Sequence, residues 1–167
     1  MARLAERSLE RRSIRHVRDE AFFAWRFRNP RAAYRFLFWE DGSLRGYVVL
    51  AAELAYAADY FYPKVRVVDC EATDVEIEVE LLEAAMTWGR FGLITTWAAG
   101  LSTHAVAQLE QRGFRPDSAR PSFRDPGTSL LVRPTRSSTA DADWVLGGAS
   151  LLDLDNWDLR PACSDHN

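Results

Sequence analysis

The alternation of apolar and polar side chains changes period several times along the chain, and each change marks an element. Residues 2 to 16 carry Leu4, Leu9 and Ile14 among charges, which predicts a short, mostly solvated helix. Asp19 and Glu20 open a second helical stretch through Ala21–Phe27, which Asn29-Pro30 stops. The aromatic content of Tyr34–Trp39 predicts a strand, because large flat side chains pack well on a pleated surface. Asp41-Gly42 is a hairpin signal, and Gly46–Leu50 is the returning strand. A loop over Tyr60–Pro63 then leads into a strand from Val65 to Cys70.

The segment from Asp74 to Arg90 fits two periods. Val75, Ile77, Val79 and Leu81 alternate with glutamates as a strand would, while Ile77, Leu81, Ala84, Ala85 and Trp88 share one helical face. The run Leu81–Met86 consists of strong helix formers, and Thr73-Asp74-Val75-Glu76 matches a capping box with Thr73 as its first residue. These favour a helix. Beyond Gly92, Leu93–Trp97 is expected as a buried strand, and Ser102 is expected to cap a helix running to Arg112. Gly113 ends that helix where a left-handed residue is needed. Phe114-Arg115 opens a short strand, and Ser129–Val132 forms the last one.

The chain therefore divides into an N-terminal helical segment (1–18), a main domain (19–133), a polar linker (134–143) and a tail (144–167). Trp144, Leu151, Leu152 and Trp157 give the tail enough apolar surface to dock back on the domain. At 167 residues and 47% apolar content, one domain with a filled core is expected. No apolar run is long enough for a membrane span, and the N-terminus lacks the apolar stretch of a secretory signal. Cys70 and Cys163 lack metal-ligand spacing and read as reduced thiols, so a cytoplasmic location is expected.

Charge is uneven: residues 1–45 hold eleven Arg against six Asp and Glu, whereas the whole chain carries −3. Such asymmetry can mark a basic face for an anionic partner, but the bland account, that the two parts pair with each other, is preferred. Nucleic-acid binding would call for a net basic domain or a known motif, and neither is present. His16, His104 and His166 are too scattered for a metal site. Asp153–Asp158 mimics a calcium loop only superficially, since Asp158 stands where glycine is required and Ser164 where the bidentate glutamate belongs. Gly148–Leu152 lacks the second glycine of a nucleophile elbow. Arg26, Arg28, Arg31 and Arg35 cluster around Pro30 and could hold a carboxylate or phosphate, with a solvated arginine face as the default.

The order strand, hairpin strand, strand, helix, strand, helix, strand, strand resembles the central and C-terminal part of the GNAT acyltransferase superfamily over residues 19–133. Leu81–Ala85 followed by Gly92-Leu93-Ile94 looks like the family's central helix entering its fifth strand. Ala107–Phe114 is similar to its late helix, which ends in a Gly-Phe pair. Trp25-Arg26-Phe27 with Pro30 and Tyr34 resembles a motif of GNAT-like proteins in bacterial envelope and polysaccharide pathways.

The resemblance implies an α/β fold with a mixed sheet and an N-acyltransferase activity moving an acyl group from acetyl-CoA, or another acyl-CoA, to an amine on a small molecule or peptide. By the same resemblance, Val67, Val68, Asp69, Cys70 and Thr73 would line the acyl-CoA, and Glu71 or Asp69 would serve as general base. Three departures point the other way. The family's glycine-rich diphosphate turn is replaced by Asp74, Glu76 and Glu78, which repel a diphosphate and occupy the space it needs. Leu109 stands at the position of the family's general-acid tyrosine, and the first strand has no counterpart. Two functions fit: an acyltransferase without tightly bound coenzyme A, or a catalytically inactive GNAT-like domain that binds a partner or carries structure. Without a first strand, Tyr34–Trp39 is expected at an open sheet edge, covered by the 2–16 helix, a second copy or a partner chain.

Overall fold

A computed structural model of the protein describes residues 1–7, 14–30, 32–57, 60–89, 91–98, 101, 103–115, 144–153, 156–158, 160 and 162. The strand expected at Ser129–Val132, the 134–143 linker, the Ser102 cap and Cys163 lie outside these residues. The described chain is a mixed α/β fold. Its sheet has the order β2-β3-β4-β5, built from β2 (Tyr34–Glu40), β3 (Leu44–Ala57), β4 (Tyr60–Ala72) and β5 (Leu93–Thr95). The first three strands form an antiparallel meander, and β5 joins β4 in parallel. The crossover between them is α3 (Val75–Trp88).

Each face of the sheet has its own core. On one, α3 and α4 (Thr103–Gln111) cover Val48, Leu50, Val67, Cys70 and Ala72 with Ile77, Leu81, Leu82, Ala85 and Leu109. Gly46 allows this approach, since a Cβ there would lie 2.6 Å from Ile77 Cγ2. On the other face, α1 (Ala2–Arg7) and α2 (Glu20–Arg26) bring Leu4 and Phe23 onto Tyr47, Val49, Ala51 and Val68. Burying each of these large side chains contributes about 1.5–3 kcal/mol. Among the described residues no helix is long and apolar enough to cross a membrane.

The termini depart from the sequence expectation. Among the described residues of the 2–16 segment, Ala2–Arg7 is a helix, and it is not solvated, because Leu4 and Ala5 are buried. Ile14–Arg15 is instead a strand, β1, paired in parallel with β8 (Trp157–Asp158) of the tail. A local helical pattern yields here to backbone bonds that only the distant tail can supply. Between these partners lie β6 (Val145–Leu146) and β7 (Ala149–Ser150), which form a small hairpin.

Three further expectations change. Tyr60–Pro63 is strand rather than loop, because β3 runs on to Ala57 and pairs through Leu54↔Pro63 to Ala57↔Tyr60. Pro63 is tolerated there, and its carbonyl accepts from the Gly92 amide at 2.8 Å. The strand at Leu93–Trp97 shrinks to three residues, with Leu93 exposed. Phe114 and Arg115 follow Gly113 without forming a strand. Gly113 does take a positive φ, 93°, as a helix-ending glycine should.

Candidate functional site

Position 68 determines where the chemistry sits. β3 and β4 pair Val49 with Asp69 and Leu50 with Val67, which leaves Val68 as the unpaired residue of a β-bulge. Strict alternation would point Asp69 and Glu71 to the same side as Val67, into the apolar core beneath α3. The bulge turns them to the opposite side, beside Tyr47, while Val67 and Cys70 remain in that core. The residues expected to line acyl-CoA are therefore divided between the two faces. Val67 and Cys70 lie under α3, whereas Val68 and Asp69 lie on the α1 side.

Asp69 and Glu71 are almost fully buried, at 1% and 2% exposure, and two guanidinium groups meet them there. Arg18, just before α2, donates to Asp69 Oδ1 at 2.7 Å, to Glu71 Oε2 and to the Tyr47 hydroxyl at 3.2 Å. Tyr47 in turn donates to Asp69 Oδ2 at 3.0 Å. From the tail, Arg160 lies 3.5 Å from Asp69 Oδ1 and 3.2 Å from Glu71 Oε2, and Asp158 accepts from Arg160 Nε at 3.0 Å. Two cations and three carboxylates thus join three remote parts of the chain.

Burial shapes the ionisation of this cluster. It pushes the Tyr47 hydroxyl well above the ordinary tyrosine range, with neighbouring Asp69 adding to the effect, so Tyr47 stays a protonated donor. Burial opposes charge on Arg160, but Glu71, Asp69 and Asp158 outweigh it and hold the guanidinium above its usual value. Burial also works against the Asp158 carboxylate, yet Arg160 and Arg18 hold it below the usual range. The Cys70 thiol, on the other face, is pushed up by burial and by Glu78. A general base needs an oxygen open to the reacting proton. Both Asp69 oxygens and Glu71 Oε2 are already occupied by Arg18, Arg160 or Tyr47.

At the start of α3 the cap lies one residue later than the sequence motif suggested. Asp74, not Thr73, is the N-cap, with extended φ and ψ and a side chain that accepts from the Ile77 amide at 3.0 Å. Thr73 stays attached to the sheet, because its amide donates to the Arg45 carbonyl at 2.8 Å, and its hydroxyl donates to Asp74 Oδ2. The open cleft beside this helix end is lined by the carboxylates of Glu40, Asp41, Asp74, Glu76 and Glu80, with Arg45 the one cation among its described lining residues. Arg45 is held by Asp74 at 3.1 Å. Glu78 is buried and does not line the cleft. Among the described residues no group of His, Cys, Asp and Glu is arranged to hold a metal.

Sequence reasoning found Asp69 and Glu71 but missed Arg18, Tyr47, Asp158 and Arg160. Arg18 is one of many N-terminal arginines, and only the excess of positive charge there, against an acidic remainder, hinted at pairing.

No family model matches the chain, and no curated protein does. Solved structures give distant likenesses. One is a point mutant of the BH1408 protein from Bacillus halodurans, 13% identical, with a TM-score of 0.46 over 68% of this chain and 73% of that one. Another is a point mutant of the TTHA1254 protein from Thermus thermophilus, 16% identical, with a TM-score of 0.33 over 62% and 72%. Likeness at this level carries no argument about function.

Proposed function

We propose that this chain is a GNAT-like domain that has kept an acyltransferase-type scaffold without tight acyl-CoA binding, and that it serves as a binding or structural domain. The observation that carries this reading is the start of α3. Phosphates bind helix N-termini through free backbone amides and favourable charge. Here Asp74 occupies the Ile77 amide, and five carboxylates line the adjoining cleft. The burial of Asp69 and Glu71 against Arg18 and Arg160 supports the same reading, since ion pairs of this kind suit a structural tie.

A second reading, an active N-acyltransferase, is favoured by one feature. β5 pairs with β4 only at Lys64–Arg66, so the strands part just before the bulge at Val68. By the GNAT resemblance Val67–Cys70, which follow the last paired residue, would line the acyl-CoA, with Asp69 or Glu71 as base for an amine. Calorimetric titration with acetyl-CoA separates the two. Heat of binding should be absent or weak; a Kd near 1 μM or tighter, about −8 kcal/mol, overturns the first reading and restores the second.

A further inference from the structure

We propose that β2 is the contact strand of a symmetric homodimer, in which two copies pair antiparallel about Leu37 and join their sheets edge to edge. The inference does not depend on whether acyl-CoA binds. β2 ends the sheet, and no strand pairs with its outer edge among the described residues. The N-terminal helix, one expected cover, packs instead on β3 and β4. The edge is aromatic and in contact with solvent: Phe36 is 37% exposed, Phe38 52% and Trp39 37%. An edge of this kind is a template for another strand.

The phase of its free backbone groups decides how a second copy would fit. The Ala33 carbonyl accepts from the Ala52 amide, so the odd residues from 33 to 39 turn their backbone groups toward β3. Tyr34, Phe36 and Phe38 therefore turn theirs outward. A two-fold axis perpendicular to the sheet keeps like faces together, so residues that face each other must share parity. Centring it on Leu37 sets Phe36 opposite Phe38 of the second copy, twice, and all four residues present outward amides and carbonyls. The same register sets exposed Arg35 opposite Trp39, a cation against an aromatic ring, and Tyr34 opposite Glu40. No like charges meet. Phe36 and Phe38 already stack on one another within each copy, with centroids 6.2 Å apart, so the pairing extends an ordered aromatic row.

Light scattering on the purified chain, combined with hydrogen exchange, tests the proposal. The expected mass at rising concentration is twice the 19.0 kDa chain, with the Phe36 and Phe38 amides protected along with the β3-bonded amides of Arg35 and Leu37. In Phe38→Lys, which alters an exposed side chain, the mass should fall to one chain. Protection should then be lost at Phe36 and position 38 while Arg35 and Leu37 keep theirs, which also shows that the variant remains folded. A monomer at every concentration overturns the proposal. So does a dimer in which the Phe36 and Phe38 amides exchange freely, because another surface would then form it.

Discussion

Arg18 shows how much one side chain can hold in this molecule. It is buried, and its guanidinium is the nearest cation to both Asp69 and Glu71. Removing one member of a buried ion cluster leaves the others uncompensated, which costs about 3–5 kcal/mol. Arg18→Met should therefore lower the free energy of unfolding by about that amount, read as a lower urea midpoint at unchanged slope. A loss below about 1 kcal/mol would mean that water reaches the two carboxylates in solution. The N-cap gives a second test at this scale. Asp74→Ala should cost about 1 kcal/mol, and Thr73→Ala distinctly less, because Asp74 alone accepts from the helix amide. The reverse order would put the cap at Thr73, as the sequence motif first suggested.

Among the elements, the pair formed by β4 and α3 organises the rest. The bulge at Val68 sends acidic side chains to the α1 side and keeps Val67 and Cys70 under α3. The choice between strand and helix over Asp74–Arg90 was legible because fourteen residues of Val75–Trp88 place a continuous apolar stripe on the sheet. The two periods share Ile77 and Leu81, and Leu82 and Ala85, packed in the same core, break the tie in favour of the helix. The short elements were not legible. β1 and β8 are two residues each, too few for any period, and each exists only because the other is present.

Across the whole molecule, the buried cluster ties the N-terminal segment and the tail to the sheet, and this link is expected to weaken in acid. Asp158 is held below its ordinary value of 3.8 by Arg160 and Arg18, against the effect of burial. A carboxylate depressed on folding contributes stability above its unfolded pKa, and that contribution is lost as pH falls through the folded value. Stability should therefore drop below about pH 4. The Asp158→Asn variant should show a shallower fall of the urea midpoint over that range. Identical slopes for the two proteins would place the acid sensitivity elsewhere. Arg160, raised above the ordinary arginine value, adds no pH dependence under working conditions.

By itself the sequence determined the elements whose signal is local and repeated: the hairpin at Asp41-Gly42, the α2 start at Asp19, the long α3 and the glycine stop at Gly113. These follow from backbone sterics, capping and apolar period, which neighbours along the chain decide among themselves. It also marked Asp69 and Glu71 as the acidic pair of a strand. Only the tertiary structure decided what that pair does. The partners Arg18 and Arg160 lie 51 positions before Asp69 and at the far end of the chain, and no local pattern distinguishes them from the other arginines. Which arginine is buried depends on how the termini fold back over the sheet, and that is a long-range outcome of packing.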